Sequence, residues 1–374
     1  MKTKVEVITL QRVPNYGSVL QGYATQKVIE KLGYEVELIN YYPQRMHMFA
    51  MLKRLKYKND KLRKSLGLRT IARLVIIPSY IKRFRVFNKF TKEHIKMTDK
   101  QYITFEDLKN DIPKADIYCT GSDQVWNPDW ADYTYEKTFL RFCRKEKRVA
   151  YAASFGVDSI PEKWIDKYKT GLSEFQYLSV RENKAVEIVE ELIGKTCERV
   201  LDPTMLLDKD EWDRIAIVPP QCMNKNYILT YFLGGRSDAV NKDILEYARK
   251  YDCHVINLLD LNDPNYFVGP DKFVGLISKA KLVLTDSFHA TVFSIIYERT
   301  FVVYNRKGIG SKMGSRLSSL LDMCDLSGRK RELVDETNLF SCDFENAKKK
   351  IEREKIHSIA FLHKAIEGCK DSVG

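Results

Sequence analysis

The sequence has no apolar run long enough to cross a bilayer and no cysteine pair spaced for a metal ion. Uncharged stretches such as 287–297 fall short of the roughly 20 residues that a transmembrane helix requires. Lys2, Lys4 and Glu6 interrupt the region that would be apolar in a signal peptide, so we expect a cytoplasmic protein. None of the eight cysteines belongs to a CxxC motif, which argues against a zinc site and against a disulfide framework.

Glycine and proline are also scarce, with 18 and 11 positions in a chain of 374 residues. This scarcity excludes collagen-like and low-complexity sequences. A hydrophobic content of 44% with 30% charged residues excludes an intrinsically disordered chain. The composition is that of a globular protein, and the length favours two domains.

Excess positive charge is confined to one segment, residues 45–100. It contains 17 Lys and Arg against three acidic residues, whereas the rest of the chain has 45 basic and 47 acidic residues. Its apolar residues recur at near-helical spacing, a pattern typical of an interfacial helix that meets anionic lipid. The pattern also fits a helical insertion that packs on its own domain and leaves its lysines in solvent. No recognised nucleic-acid motif is present, so we expect no nucleic-acid partner.

Short β-rich segments alternate with amphipathic helical stretches along most of the chain, which predicts parallel βαβ architecture. We expect an α/β fold with two Rossmann-like domains, 1–208 and 209–342, and a helical tail over 343–374. The basic segment 45–100 is then a helical insertion in the first domain. The predicted strands are 5–10, 35–41, 115–120, 148–154, 177–181, 199–201, 227–233, 254–259, 282–285 and 301–304.

Polar clusters at strand ends are candidates for a binding site, because ligands of open α/β sheets bind there. The first cluster lies where the first helix begins and comprises Asn15, Tyr16, Gly17 and, one turn later, Gln21. Backbone N–H groups at a helix start suit an anion, and glycine allows a ligand to approach closely. Asn and Gly are equally common as helix-capping residues, so this cluster alone does not define a site.

The second cluster follows the third strand and is dense in polar residues for a simple turn. It contains Ser122, Asp123, Gln124, Trp126 and Asn127.

Two further clusters contain an arginine and a histidine. Arg181 ends a strand, where its guanidinium group could bind a carboxylate or a phosphate. A structural salt bridge to Glu182 or Asp202 is the alternative. Ser287 and His289 lie between an apolar strand and an apolar helix, where the imidazole is a candidate for proton transfer or a packed residue of a capped helix.

Six motifs in this order resemble the polysaccharide pyruvyl transferase family. They run from residue 15 to residue 294 and are NYGSVLQGYATQ, LINYYP, GSDQVWNP, SVRE, LDPTMLL and LTDSFHATVFS. The family is similar to the GT-B glycosyltransferases in having two Rossmann-like domains that face a cleft. Its characterised members transfer the enolpyruvyl unit of phosphoenolpyruvate to a sugar diol and form a cyclic pyruvate ketal.

The resemblance implies roles for individual residues. His289 matches the family's motif histidine and is expected to transfer a proton, and Arg181 is expected to bind the donor. Ser287 stands where many family members have an arginine, so we expect Lys312 and Arg316 of the glycine-rich segment 308–316 to supply the missing charge.

Acceptor binding is assigned to the first domain. Asp123 is expected to bind or deprotonate acceptor hydroxyls with Gln124. The remaining residues of the first two clusters are expected to line the cleft.

The implied substrates are phosphoenolpyruvate and a sugar or lipid-linked oligosaccharide acceptor. We expect a lipid-linked acceptor at the inner face of the membrane, where segment 45–100 would attach. We expect neither cofactor nor metal, because the reaction requires none and the sequence has no metal-ligand cluster. Two alternatives stay open: a nucleotide-sugar glycosyltransferase on the same fold, and a non-catalytic sugar-binding module.

Overall fold

The computed structural model of the protein describes residues 2–47, 66–306 and 314–371. Residues 48–65 of the basic insertion, and Lys312, lie outside the described residues. The structure contains two parallel sheets with flanking helices, which form two Rossmann-like domains facing a cleft. This GT-B-like arrangement confirms the predicted fold class.

The first sheet lies in the N-terminal domain and has parallel strands that are buried at its centre. They are β1 (Lys4–Ile8), β2 (Glu35–Leu38), β3 (Ile117–Thr120), β4 (Arg148–Ala153), β5 (Tyr177–Val180) and β6 (Glu198–Arg199). Their order in the sheet is β2-β1-β3-β4-β5-β6.

The second sheet is also parallel. Its strands are β7 (Tyr227–Tyr231), β8 (His254–Asn257), β9 (Leu282–Thr285) and β10 (Phe301–Val303), in the order β10-β9-β7-β8. These ten strands all overlap the predicted segments. Most are short apolar runs bounded by polar or glycine residues, whereas the edge strand β6 consists of Glu198 and Arg199.

Helices cover both sheets. In the first half of the chain they are α1 (Tyr16–Lys31), α2 (Leu66–His94), α3 (Phe105–Asn110), α4 (Ala131–Thr138), α5 (Ile165–Ser173) and α6 (Asn183–Ile193). In the second half they are α7 (Lys209–Asp213), α8 (Asp238–Lys250), α9 (Pro270–Lys279), α10 (Phe288–Ile296), α11 (Gly314–Met323) and α12 (Phe344–Asp371).

The two domains meet where α1 packs against α9. The ring of Tyr16 stacks on Phe273, with centroids 4.4 Å apart, and its hydroxyl donates to the carbonyl of Val268 at 3.1 Å. Helix α2 joins this contact through Arg83, which donates to the Tyr16 hydroxyl at 3.3 Å and to the carbonyl of Tyr266 at 2.9 Å. The C-terminal half of the basic insertion therefore packs into the protein, as the second interpretation of that segment predicts.

Helix α12 returns from the second domain to the first sheet. The backbone N–H of Leu201 donates to Ser358 Oγ at 2.9 Å, and Arg199 pairs with Glu354 at 2.7 Å. The tail is thus one helix that packs on the N-terminal domain, while the predicted domain boundaries at 208 and 342 stay a prediction. Within the described ranges, no helix combines the length and apolar character needed to cross a membrane.

Candidate active site

A cavity of about 550 Å³ lies between the two domains, at the carboxyl ends of β1, β3 and β9. Ligands of open α/β sheets bind in the crevice outside the carboxyl ends of the strands. The first domain contributes Asn15, Ser18, Asp123, Gln124 and Lys137 to its polar lining. The second contributes Ser287, His289, Arg306 and Arg316.

His289 is fixed by the start of α10 and by close contact with α1. Ser287 caps α10 by accepting a hydrogen bond from the backbone N–H of Ala290 at 3.4 Å. The imidazole ring then lies against Gly17 of the other domain, where a methyl group would be 2.0 Å from His289 Nδ1. Gly17 therefore makes room for a side chain of the site, and not for a ligand as the sequence suggested.

Asp202 lies beside the His289 ring, on the side of its Nε2 atom. Its Oδ2 lies 3.7 Å from His289 Nε2, which is too long for a hydrogen bond but within ion-pair range. The same oxygen accepts hydrogen bonds from Arg181 at 2.6 Å and from Ser122 Oγ at 2.8 Å. Burial opposes ionisation, yet His289 and Arg181 hold the pKa of Asp202 well below its usual range. An ionised Asp202 can therefore orient and stabilise a protonated imidazole.

Arg181 lies behind the cavity wall and binds three carboxylates. Besides Asp202 it contacts Asp123 Oδ1 at 3.3 Å and Glu182 Oε2 at 3.6 Å, and its guanidinium group stacks 4.4 Å from the centroid of the Phe288 ring. This is the salt-bridge alternative that its sequence context left open. In this structure Arg181 positions acidic residues and does not reach the cavity.

Asp123 joins this network at the cavity edge. Its backbone adopts a positive φ of 70°, which turns the side chain toward α1. Its Oδ2 accepts a hydrogen bond from Ser18 Oγ at 2.7 Å. Burial acts against the charge, but Arg181 and His289 keep the pKa of Asp123 below its ordinary value. Asp123 is thus a paired carboxylate at the site.

Two arginines of the second domain face the cavity. Arg306, just after β10, donates to the carbonyl of Asp286 at 2.9 Å and contacts its carboxylate at 3.3 Å. Arg316, at the start of α11, is buried, and its Nε has no hydrogen-bond partner among the described residues. Burial and the nearby charge of Arg181 lower the pKa of Arg316 to about 10. An anionic ligand would stabilise such a guanidinium group.

Lys137 lines the cavity from the first domain, on α4. Its side chain is buried, and its Nζ lies 4.1 Å from the centroid of the Tyr41 ring. Next to it Arg45 stacks on Tyr133 at 3.4 Å. Sequence reasoning missed both Lys137 and Arg306. Arg306 follows a strand end, and that position could have identified it as a candidate. Lys137 lies within an ordinary polar helix, which gives no such signal.

Several predicted cleft residues have structural contacts instead. Trp126 is fully buried, stacks on Phe139 and donates to the carbonyl of Thr138 at 3.2 Å. Asn127 caps the turn that follows it, by accepting from the backbone of Asp129 at 2.9 Å.

Some of the predicted residues of the first cluster line the cavity, and others are buried and support it. Asn15 caps α1 and lines the cavity, whereas Tyr16 is buried at the domain contact described above. Gln21 is buried and accepts a hydrogen bond from the backbone of Ser122 at 3.2 Å, so it supports the Asp123 loop from below.

No group of three or more His, Cys, Asp or Glu in the described part of the chain is arranged to hold a metal ion. The expectations of no metal and no cofactor stay predictions. Glu298, the acidic residue that follows α10, is paired with Lys348 at 3.0 Å and is not among the described residues of the cavity wall.

Two Rossmann-like domains thus enclose a cleft that contains a histidine and two arginines, which makes the site cationic. The chain belongs to the polysaccharide pyruvyl transferase family, whose model matches residues 15–308. This match confirms the resemblance inferred from the six motifs.

Solved structures similar to the chain include the UDP-GlcNAc 2-epimerases of Neisseria meningitidis and Methanocaldococcus jannaschii and the glycosyltransferase SnogD of Streptomyces nogalater. The Neisseria enzyme has 12% identity and a TM-score of 0.41, over 96% of this chain and 100% of its own. The Methanocaldococcus enzyme has 14% identity and a TM-score of 0.41, over 94% and 92%. SnogD has 10% identity and a TM-score of 0.41, over 98% and 100%. No match was found among curated proteins.

Proposed function

We propose that the protein transfers the enolpyruvyl unit of phosphoenolpyruvate to two hydroxyls of a sugar, forming a pyruvate ketal and releasing phosphate. The observation that carries this proposal is the placement of Arg306 and Arg316 in one cavity with His289. Phosphoenolpyruvate has a phosphate and a carboxylate, and guanidinium groups bind both. The donor's anions would thus meet the two arginines beside the candidate proton donor.

The balance of charge along the cavity supports an anionic donor. Among the described residues that line it, Asp123 is the one acidic residue, and it is already paired with Arg181. Arg306 is held by Asp286, whereas no carboxylate of the described residues lies within hydrogen-bond distance of the buried Arg316. With these arginines, the site has positive charge in the second domain although Ser287 replaces the arginine of many family members.

The proposed chemistry uses His289 twice. The protonated imidazole gives its proton to the methylene carbon of the donor, and a first hydroxyl oxygen bonds to the adjacent carbon as it loses its proton. Phosphate then leaves with the electron pair of its bond to that carbon. The second hydroxyl oxygen takes its place and returns a proton to His289. The proton of the second hydroxyl thus restores the one that His289 gave to the new methyl group. The proton of the first hydroxyl leaves with the phosphate.

Asp202 supports this cycle because it carries a negative charge beside His289 Nε2. A carboxylate at this distance stabilises the imidazolium form and keeps the ring oriented. Histidine is the side chain whose ordinary pKa allows it to donate and accept a proton near neutral pH. The arrangement therefore supports His289 as the general acid of the proposed transfer.

The test is phosphate release from phosphoenolpyruvate with galactosyl, glucosyl and mannosyl acceptors. We expect release that depends on an acceptor in the wild type, loss of release in His289→Ala, and wild-type release in His254→Ala. His254 is an exposed histidine on β8 and serves as the matched control. Turnover of a nucleotide sugar without binding of phosphoenolpyruvate would instead identify a glycosyltransferase. Sugar binding without turnover of either donor would identify a binding module.

We also propose that the acceptor is lipid-linked and that the protein attaches peripherally to an anionic membrane. Leu74 and Val75, in the N-terminal half of α2, are 63% and 72% exposed within the basic segment 45–100. Exposed apolar side chains among basic residues are typical of membrane-surface helices.

Liposome sedimentation at low salt tests this attachment. The double variant Leu74→Ser with Val75→Ser should lose binding to anionic liposomes, whereas Ile356→Ser, an equally exposed apolar residue on α12, should keep it. A wild-type protein that stays in the supernatant at low salt would contradict the proposal.

A further inference from the structure

Lys137 is a buried ionisable residue of the cavity for which the reaction described above has no role. It lies on α4 with 5% of its surface exposed, and it lines the same cavity as Arg306 and Arg316. A lysine is rarely buried without a partner, because removing its charge from water is unfavourable. Its position therefore needs an explanation other than packing.

The groups around Lys137 do not neutralise it. Arg45 and the ring of Tyr41 face Lys137 from the segment that follows β2. Tyr133, which like Lys137 belongs to α4, lies beside Arg45. In the groove on its other side are Asp132, Glu136 and Lys167. Over the ranges that the structure describes, none of these groups accepts a hydrogen bond from Lys137 Nζ or forms an ion pair with it.

This environment favours the neutral amine. Burial, followed by the charge of Arg45, lowers the pKa of Lys137 to about 7. A large fraction of the side chains is then unprotonated at neutral pH, which is the form that accepts a proton.

The reaction needs such a base, and Asp123 is poorly suited to be one. Both of its oxygens are engaged, with Ser18 at 2.7 Å and Arg181 at 3.3 Å, and these contacts stabilise its ionised form. His289 begins the cycle protonated, so it cannot also accept the first hydroxyl proton. Lys137 is the remaining proton acceptor among the described residues of the cavity wall.

We propose, on the basis of the proposed function, that Lys137 Nζ is a catalytic base that receives the proton of the first acceptor hydroxyl. As the oxygen–hydrogen bond breaks, its electron pair forms the new bond between oxygen and the donor carbon, and Nζ becomes an ammonium group. The ammonium group then gives this proton to the leaving phosphate. Lys137 ends the cycle neutral, and His289 ends it protonated.

The variants Lys137→Met and Lys137→Arg test this role by steady-state phosphate release and by calorimetric binding of phosphoenolpyruvate. Both should lower kcat by roughly 10²- to 10⁴-fold, because methionine has no basic atom and a guanidinium group stays protonated. The Kd for phosphoenolpyruvate should stay within about twofold of the wild type. Lys167→Met, in the neighbouring groove, is the control and should leave kcat unchanged. Activity retained in Lys137→Arg would show that a positive charge suffices, and would overturn the proposal.

A second measurement does not depend on activity. Trace acetylation across a range of pH, read by mass spectrometry, should show Lys137 reacting as an amine that titrates near neutral pH, with acetylation of the exposed Lys167 in the same samples as the reference for labelling efficiency. Ordinary titration of Lys137 in an active enzyme would refute the base and leave the proposed function standing. Near-neutral titration in a protein that releases no phosphate with any acceptor would refute the proposed function, and with it the role of Lys137 in that reaction.

Discussion

A single methyl group added at Gly17 should lower catalytic activity strongly while changing the stability of the fold little. A Cβ atom there would lie 2.0 Å from His289 Nδ1, 2.4 Å from Cγ and 2.7 Å from Cε1. Ordinary contacts of this kind are about 3.5 Å, so the ring or the helix must move by roughly 1 Å or more. Displacement of a catalytic group by about 1 Å can lower a rate by on the order of 10²-fold.

The cost in stability should be much smaller. Overpacking destabilises a core by roughly 1–3 kcal/mol. Replacing glycine by alanine within a helix stabilises the fold by about 0.5–1 kcal/mol, which offsets part of this loss. We therefore expect Gly17→Ala to unfold within about 2 kcal/mol of the wild type and to lose on the order of 10²-fold in kcat.

The assay combines urea unfolding with acceptor-dependent phosphate release. Gly67→Ala on α2 is the control, because a methyl group there would contact nothing within 4 Å. Wild-type kcat in Gly17→Ala would refute the reasoning, since it would mean that the position of the His289 ring against α1 does not matter for turnover.

Three further variants test the charges of the site. Arg316→Met should weaken calorimetric binding of phosphoenolpyruvate by roughly 1.5–3 kcal/mol, the usual worth of a hydrogen bond to a charged group, and the exposed Arg353→Met should not. Asp202→Asn should lower the free energy of unfolding in urea by about 3–5 kcal/mol, because Arg181 is left without its closest carboxylate; a loss under about 1 kcal/mol would contradict that pairing. Lys137→Met should be more stable than the wild type by a few kcal/mol at or below pH 7, because burial lowers the pKa of Lys137 from 10.5 to about 7. The unfolded chain binds more protons between these values, so wild-type stability rises with pH and the difference should shrink toward pH 10.5; a constant difference would contradict the assignment.

The fold was predictable because its signals are local. Most strands are short apolar runs, and caps such as Asn15 and Ser287 mark where α1 and α10 begin. The same pattern could not tell which polar residues after a strand face the cavity. Trp126 lies three residues after Asp123 in the same loop, yet its ring turns into the core because aromatic neighbours surround it.

A site residue was predictable only where it followed the end of a strand or belonged to a family motif. His289 met both conditions, and it lines the cavity. Arg181 met both as well, but its role depends on Asp202 and Glu182, whose three-dimensional closeness the sequence does not reveal. Lys137 met neither, since its burial arises from the packing of a distant segment that contains Tyr41 and Arg45.

The most direct test of the central claim follows the donor's own carbon. Phosphoenolpyruvate isotope-labelled at the carbon that bears the phosphate is incubated with the wild type and a sugar acceptor, and the product is examined by NMR. The proposed reaction predicts a ketal carbon bonded to two sugar oxygens, absent with His289→Ala and present with His254→Ala. Labelled pyruvate as the sole product, or unchanged donor with every acceptor, would contradict the claim.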